Sequence, residues 1–236
     1  MRKIGIIQPS YIPWRGYFDF IHEVDAFVFL DDVQYTERDW RNRNRIKTRD
    51  GKTLWLTVPT LGGRNQLIKD VLLDNSQHWQ RKHLAALQHN YSRAPFFNRY
   101  FEGLENIYNL SFEKLSELDI ALTKQISSWL GIGTEFMISS VLDVSGSKDD
   151  RLLQLVEKLN GDTYLSGPAA RAYLRPDCWE NAGIKLNYKD YSGFPEYPQI
   201  SQPFEAQVTI LDLIFMKGPD AMDYIWGKYR TRNGGH

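Results

Sequence analysis

The chain has 236 residues, 42% of them hydrophobic and 25% charged, which is enough for a sizeable core and too apolar for a disordered chain. Lys and Arg together number 29, as do Asp and Glu, so no basic excess marks the whole chain as a polyanion binder. One cysteine, Cys178, makes neither an internal disulfide nor a cysteine-based metal site, and no signal peptide or run of about 18 apolar residues is found, so a soluble cytoplasmic protein with no membrane contact is expected.

"KIGIIQ" at 3–8 is apolar and branched, the mark of a central strand that breaks off at Gln8-Pro9. Gly16–Val24 is amphipathic, with Phe18, Ile21 and His22 at helical spacing, and "AFVFL" at 26–30 is a second buried strand ending in Asp31-Asp32. Such a β-α-β opening is normally parallel and right-handed. In "NRIKTRDGKTLWLTVP", Asp50-Gly51 separates two alternating segments, which predicts a β-hairpin with a tight primed turn. Residues 76–130 read as a helical insertion with segments near 77–91, 94–108 and 112–130, the last stopped by "LGIG". Strand and helix then alternate through "EFMISS" (135–140), a helix over 148–159, "TYLS" (163–166), a short helix after Gly167 and "IKLNYKDY" (184–191). Two helices follow, "TILDLIFMKG" (209–218) and "PDAMDYIWGKY". The expectation is a single α/β domain over 1–236, its mostly parallel sheet beginning β-α-β, with a β-hairpin and a helical segment inserted in the middle.

The turn between the first strand and the first helix usually lines the ligand crevice of an open α/β fold. Here it carries Gln8, Tyr11, Trp14 and Tyr17, expected together as one wall of a polar pocket. Trp14, Gly16 and Tyr17 occupy the spacing that nucleotidylyltransferases and class I synthetases fill with His-x-Gly-His, whose histidines stabilise charge on the phosphates being transferred. Trp offers one neutral donor and Tyr one hydroxyl, so the spacing speaks for the architecture and against adenylyl transfer.

The most polar segment is "DDVQYTERDWRNRNRIKTR" at 31–49. If 41–49 is extended, Arg41, Arg43, Arg45, Lys47 and Arg49 project from one face roughly 6–7 Å apart, a cationic comb suited to an anionic small molecule such as a sugar nucleotide. A solvated hairpin whose charges discourage edge pairing is the plain alternative. Asn42, Arg43 and Arg45 are the substrate-binding candidates of the comb. Asp31 and Asp32 end the second strand, where carboxylates meet ligand hydroxyls or amines, and are the candidate catalytic bases; Gln34 and Tyr35 add neutral hydrogen-bonding groups to the opposite pocket wall.

The helix with His78, Lys82, His83 and His89 lacks the spaced His pair and Glu of a zinc helix, so an amphipathic helix packing Trp79 and Leu87 is expected, and no metal site. "SGSKDDRLLQL" (145–155) and "YLSGPAARAYL" (164–174) are Ser- and Gly-rich entries to helices, where free N–H groups take anions and Lys148 or Arg171 adds charge. Ser147 or Asp149 is expected as a plain cap, whereas Ser166 and Gly167 stay substrate-binding candidates because they follow a buried strand. Neither is a Walker loop, no G-x-S-x-G is present, and Cys178 beside Trp179 is expected to be packed.

Taken together, "IIQPSYIPWRGYFDFIHEVDAFVFLDDVQYTERDWRNRNRIKT", "LWLTVP", "SSVLDVSGSKDDRLLQL", "TYLSGPAARAYL" and "TILDLIFMKG" are similar to the WbqC-like family of bacterial proteins, in order and spacing, over nearly the whole chain. The resemblance implies an association with O-antigen and other surface-polysaccharide biosynthesis, and recurrent positions at Gln8, Pro9, Trp14, Gly16, Tyr17, Asp31, Asp32, Gln34, Tyr35, Asn42 and Arg43. It brings no settled catalytic residue and names no cofactor. Without a Walker loop, a metal cluster or a nicotinamide fingerprint, the expected activity is transfer of an acyl or aminoacyl group from an activated donor to an amino sugar. Asp31 or Asp32 would be the base, and Gln8, Tyr35 or Asn42 would face the developing oxyanion. The alternatives are a non-catalytic sugar- or partner-binding module, with the aromatics as stacking surfaces, and a nucleotidylyltransferase-like enzyme.

Overall fold

The structure, a computed structural model, describes residues 1–63, 65–146 and 148–229. Ser147, one of the two expected helix caps, lies outside the described residues. The chain opens with β1 (Lys3–Ile7), α1 (Arg15–His22) and β2 (Ala26–Phe29). After the insertion come β7 (Glu135–Ile138), α5 (Lys148–Lys158), β8 (Thr163–Ser166), α6 (Pro176–Asn181) and β9 (Lys185–Tyr188). The five strands form one sheet in the order β7-β2-β1-β8-β9, and every neighbouring pair is parallel.

Period-2 alternation divides the strands between two apolar layers. Ile4, Ile6, Ala26 and Val28 face α5 and α6, packing with Leu155, Val156 and Trp179. Phe27 and Phe29 face the other way, onto Phe18, Phe20 and Ile21 of α1 and the core of the helical insertion. Each fully buried ring or branched chain stabilises by about 1.5–3 kcal/mol, so both layers hold the sheet and its strand ends are left to carry polar groups.

The inserted hairpin pairs β3 (Arg43–Lys47) with β4 (Thr53–Thr57), Arg45 opposite Trp55. Its turn differs from the primed type expected: neither Arg49 nor Asp50 is left-handed, Gly51 alone has φ +86°, and the Gly51 N–H donates to the Thr48 carbonyl. The loop is therefore three residues long, with glycine at the position that needs positive φ. The comb alternates as the strand period requires, but it does not stand free. Lys47 is buried, its ammonium donating to the Gly51 and Pro203 carbonyls, and Arg49 is tied to the Asn90 carbonyl and the Ser92 hydroxyl of the helical layer. A second short pair, β5 (Thr60–Leu61) with β6 (Leu72–Leu73), is two residues per strand and too short to leave a period in the sequence.

The insertion holds α2 (Trp79–Tyr91), α3 (Phe97–Tyr108) and α4 (Leu115–Trp129), within the expected segments. Near the C-terminus α7 (Ile210–Lys217) forms as expected, whereas 218–224 is a 3-10 turn rather than an α-helix. Among the described residues no helix is long and apolar enough to cross a membrane.

Candidate functional site

The chain leaves β1 toward β2 and leaves β8 toward β9, in opposite directions, so the sheet forks between β1 and β8. In open parallel sheets the crevice at such a fork, beyond the C-terminal strand ends, is the ligand site. Gln8 ends β1 there, half-buried, and its side-chain amide makes no hydrogen bond among the described residues. Trp14 begins α1 with extended backbone, its indole lying over Gly16; a Cβ at Gly16 would sit 2.2 Å from that ring, so only glycine fits. The indole also meets Tyr191 at 5.3 Å and Phe194 at 5.7 Å, ring centre to ring centre, from the segment after β9. The Tyr17 hydroxyl donates to the Gln8 carbonyl at 3.0 Å, closing the turn on itself. Ser166 and Gly167 follow on β8, which pairs with β1. Ser166 is buried with its hydroxyl 3.4 Å from that of Tyr164, whereas a Cβ on Gly167 would meet nothing within 4 Å.

Asp31 and Asp32 occupy the fork's β2 side but are latches. Asp31 Oδ1 accepts from the Ser139 hydroxyl at 3.0 Å and the Ser140 N–H at 3.0 Å, and Oδ2 accepts from the Ser140 hydroxyl at 2.8 Å. Asp32 faces Ser139 Oγ at 2.6 Å and is ion-paired with Arg151 of α5. With lone pairs met by hydroxyl and guanidinium donors, these two carboxylates fasten the β2 end to β7 and α5.

Tyr11 does not line an open wall. It is fully buried, its hydroxyl bonded to His83 Nδ1 at 2.7 Å and to the Tyr108 hydroxyl. His83 Nε2 lies 3.1 Å from the Thr57 carbonyl, which can only accept, so Nε2 carries the proton and Nδ1 accepts from Tyr11. Burial lowers the His83 pKa from 6.5 to about 4, keeping the ring neutral. His83 shares its helix face with Trp79 and Leu87, both buried as expected; the four-residue spacing of the three is the signal that would have placed it inward.

Tyr35 is buried with its hydroxyl 3.4 Å from Thr60 Oγ1, Asn42 donates its amide to the Val58 carbonyl at 3.0 Å, and Gln34 is exposed, its backbone bridging Leu67. Arg43 and Arg45 stand on the outward face of the hairpin, their guanidinium carbons 4.3 and 5.4 Å from the centre of the Trp55 ring. Arg45 also donates to Gln207 at 2.7 Å, while Arg43 makes no hydrogen bond through its guanidinium among the described residues. Trp40 packs 5.6 Å from Trp55, and the two remain 42% and 41% exposed. The Trp40 carbonyl accepts from the Tyr11 N–H at 3.0 Å and Arg41 donates to Ser10 at 3.1 Å, so this platform adjoins the first βα turn.

One buried group escaped the sequence reading. Asp119 of α4 is fully buried, and neither carboxyl oxygen has a hydrogen-bond partner among the described residues. Burial holds its pKa well above the carboxylate range despite the nearby Arg41 charge. Its signal in the sequence is a polar stripe, Asp119, Thr123 and Ser127, on the inward face of an otherwise apolar helix. Among the described residues no cluster of three or more His, Cys, Asp or Glu is placed to hold a metal ion.

A family profile described as the WbqC-like protein family matches residues 8–224. The chain is also 42% identical over 228 residues to a Mycobacterium tuberculosis (strain ATCC 25618 / H37Rv) protein called uncharacterized protein Rv1507c, covering 95% of this chain and 98% of that one. No solved structure matches. The profile runs from the end of β1 through the remaining sheet strands, the hairpin and the helical layer, and the chain belongs to the WbqC-like protein family.

Proposed function

We propose that the protein is a transferase of bacterial surface-polysaccharide biosynthesis that moves an acyl or aminoacyl group onto a nucleotide-linked amino sugar at the sheet fork. The observation that carries this reading is the fork itself: Gln8, whose amide is unpaired among the described residues, follows β1, Gly167 follows the paired strand β8, and Trp14 starts α1, all at strand ends where parallel sheets take ligands. The resemblance to surface-polysaccharide proteins supplies the sugar pathway. Acyl transfer to an amine needs donors at the developing oxyanion, a role this reading gives to the Gln8 amide and the Gly167 segment. The anionic diphosphate of a sugar nucleotide suits Arg43, whose fork is free, and its base suits the Trp40 face. Asp31 and Asp32 hold the β7 side of the crevice in place.

The test is incubation of the purified protein with a nucleotide-linked amino sugar and candidate acyl-thioester or aminoacyl-tRNA donors, read by mass spectrometry. A mass shift on the sugar that is lost in Gln8→Ala is the expected result. Tight sugar binding with no donor ever consumed replaces this reading with a non-catalytic sugar- or partner-binding module, which the exposed Trp40 and Trp55 pair favours.

A further inference from the structure

Strand alternation sorts the residues at the C-terminal edge of the sheet by face. Ile4 and Ile6 of β1 and Tyr164 of β8 pack toward α5 and α6, so Gln8 and Ser166, next in the same alternation, belong to that side. The Ser166 hydroxyl, 3.4 Å from that of Tyr164, bears this out. Ser166 stands in register with Tyr188, the last residue of β9, which packs on the same layer. Two strand spacings of about 4.8 Å and a step of two residues therefore separate Gln8 from Tyr188, roughly 12 Å along the rim of the crevice.

Over the Tyr188 ring lies Arg171. The 3-10 turn Pro168–Ala172, which follows β8, sets its guanidinium carbon 4.1 Å from the ring centre, and no hydrogen bond or ion pair holds the group among the described residues. Neighbouring cations are spent. Arg151 is paired with Asp32, Arg175 with Asp149 and Asp150, and Lys189 with Asp19 and Glu23. The carboxylates of this edge thus have their counter-ions, and Arg171 is not called on as one. The place is also open: Arg171 is exposed, and at Gly167, where the turn begins, an added Cβ would meet nothing within 4 Å.

A guanidinium laid on a ring with its donors unspent is oriented for a phosphate before one arrives. Arg43 on Trp55 is the same device, carried by a hairpin whose Ile46 and Leu56 pack in the layer of α1, on the other side of the sheet. Group transfer needs two substrates, and the two free forks lie on opposite sides of the sheet that ends in Gln8. We infer that Arg171 holds a phosphate of the group donor on the α5 and α6 side, while Arg43 serves the sugar nucleotide on the α1 side. This rests on the two-substrate reading proposed above and names the anchor of the second substrate. A coenzyme A thioester and an aminoacyl-tRNA both carry the phosphate ester required.

The test is calorimetric titration of the full-length protein with coenzyme A and with the dinucleotide cytidylyl-adenosine, the end common to tRNA acceptor strands, which separates the two sources. At least one is expected to bind, and Arg171→Ala to weaken it about 10- to 100-fold at an unchanged melting temperature. Arg171→Lys should not restore the affinity, and Tyr188→Leu should lose part of it by unseating the guanidinium. Arg99→Ala removes another stacked guanidinium, 5.5 Å from the Tyr100 ring in the helical layer, and should leave the affinity as it was. Failure of both probes to bind, equal affinity in the native protein and Arg171→Ala, or an equal loss in Arg99→Ala overturns the inference. A probe held through Arg171 by a protein that modifies no sugar keeps the site and ends the transferase reading; transfer undiminished in Arg171→Ala at limiting donor does the reverse.

Discussion

Arg43 carries the clearest residue-scale expectation. Its guanidinium is laid on Trp55 and makes no hydrogen bond among the described residues, so the fork is oriented before any ligand arrives. Arg43→Ala should weaken binding of the anionic ligand by about 1–3 kcal/mol, the range of a charge-assisted hydrogen bond, with little change in melting temperature. Arg43→Lys should not restore it, because an ammonium neither stacks nor forks in the same way. Unchanged calorimetric affinity for the sugar nucleotide would remove Arg43 from the site. His83 makes a second prediction, about pH. Its folded pKa of about 4 lies below the ordinary 6.5, so between these values the unfolded chain binds the extra proton and stability must fall as pH falls. The contribution is fully present above about pH 6.5, and its loss by pH 4 amounts to roughly 3 kcal/mol. Denaturant titrations across that window should show the loss in the native protein and a flatter profile in His83→Gln; parallel profiles would mean that the ring titrates normally.

The elements around the fork are held by the Asp31 and Asp32 latch, and its geometry separates a structural from a catalytic role. Ser139 Oγ accepts from the Asp31 N–H at 3.1 Å and has one proton to give to the two carboxylates, so Ser139→Ala leaves the Asp31 N–H and one carboxylate oxygen short of a partner. A loss of about 1–3 kcal/mol is expected, seen as a lower urea midpoint at unchanged slope. Asp31→Asn should lose stability together with any activity, whereas a true base would lose activity alone. The latch also explains what could and could not be read in advance. β1, β2, α1 and β8 are legible because their burial is written as apolar runs and helical spacing, whereas the order β7-β2-β1-β8-β9 is not, because parallel strands joined by crossovers admit many orders. The partners of Asp31 are not legible either, because Ser139 lies 108 residues away and no local period encodes a contact of that range. Tyr11 failed as a pocket residue for a related reason. A tyrosine in a turn looks solvent-facing until the helical insertion arrives with His83 and Tyr108 to cover it.

At the scale of the whole molecule, a parallel sheet forked beside its first strand is the arrangement on which nucleotide-activating enzymes place their phosphates, and the first βα turn decides whether this chain can do the same. Such a turn needs cationic or multiply donating groups at the start of α1. Here Trp14 is pressed onto Gly16 and against Tyr191 and Phe194, and the Tyr17 proton is spent on the Gln8 carbonyl. The cation of the turn, Arg15, is buried and turned away, donating to the Pro195 carbonyl at 2.7 Å. Charge developing on a transferred phosphoryl or adenylyl group would therefore meet an indole, a committed phenol and the neutral Gln8 amide, without a cationic donor of this turn directed toward it. The protein should accordingly bind a nucleotide-linked ligand without activating carboxylates or phosphates through ATP. Exchange of labelled pyrophosphate into ATP, measured with and without amino acids, acyl carboxylates and sugar phosphates, should stay at the level of the protein-free control. Exchange that depends on one of those small molecules, and that disappears in Trp14→Ala, would show that the indole and its neighbours do stabilise the transferred group and would return the chain to the nucleotidylyl-transfer enzymes.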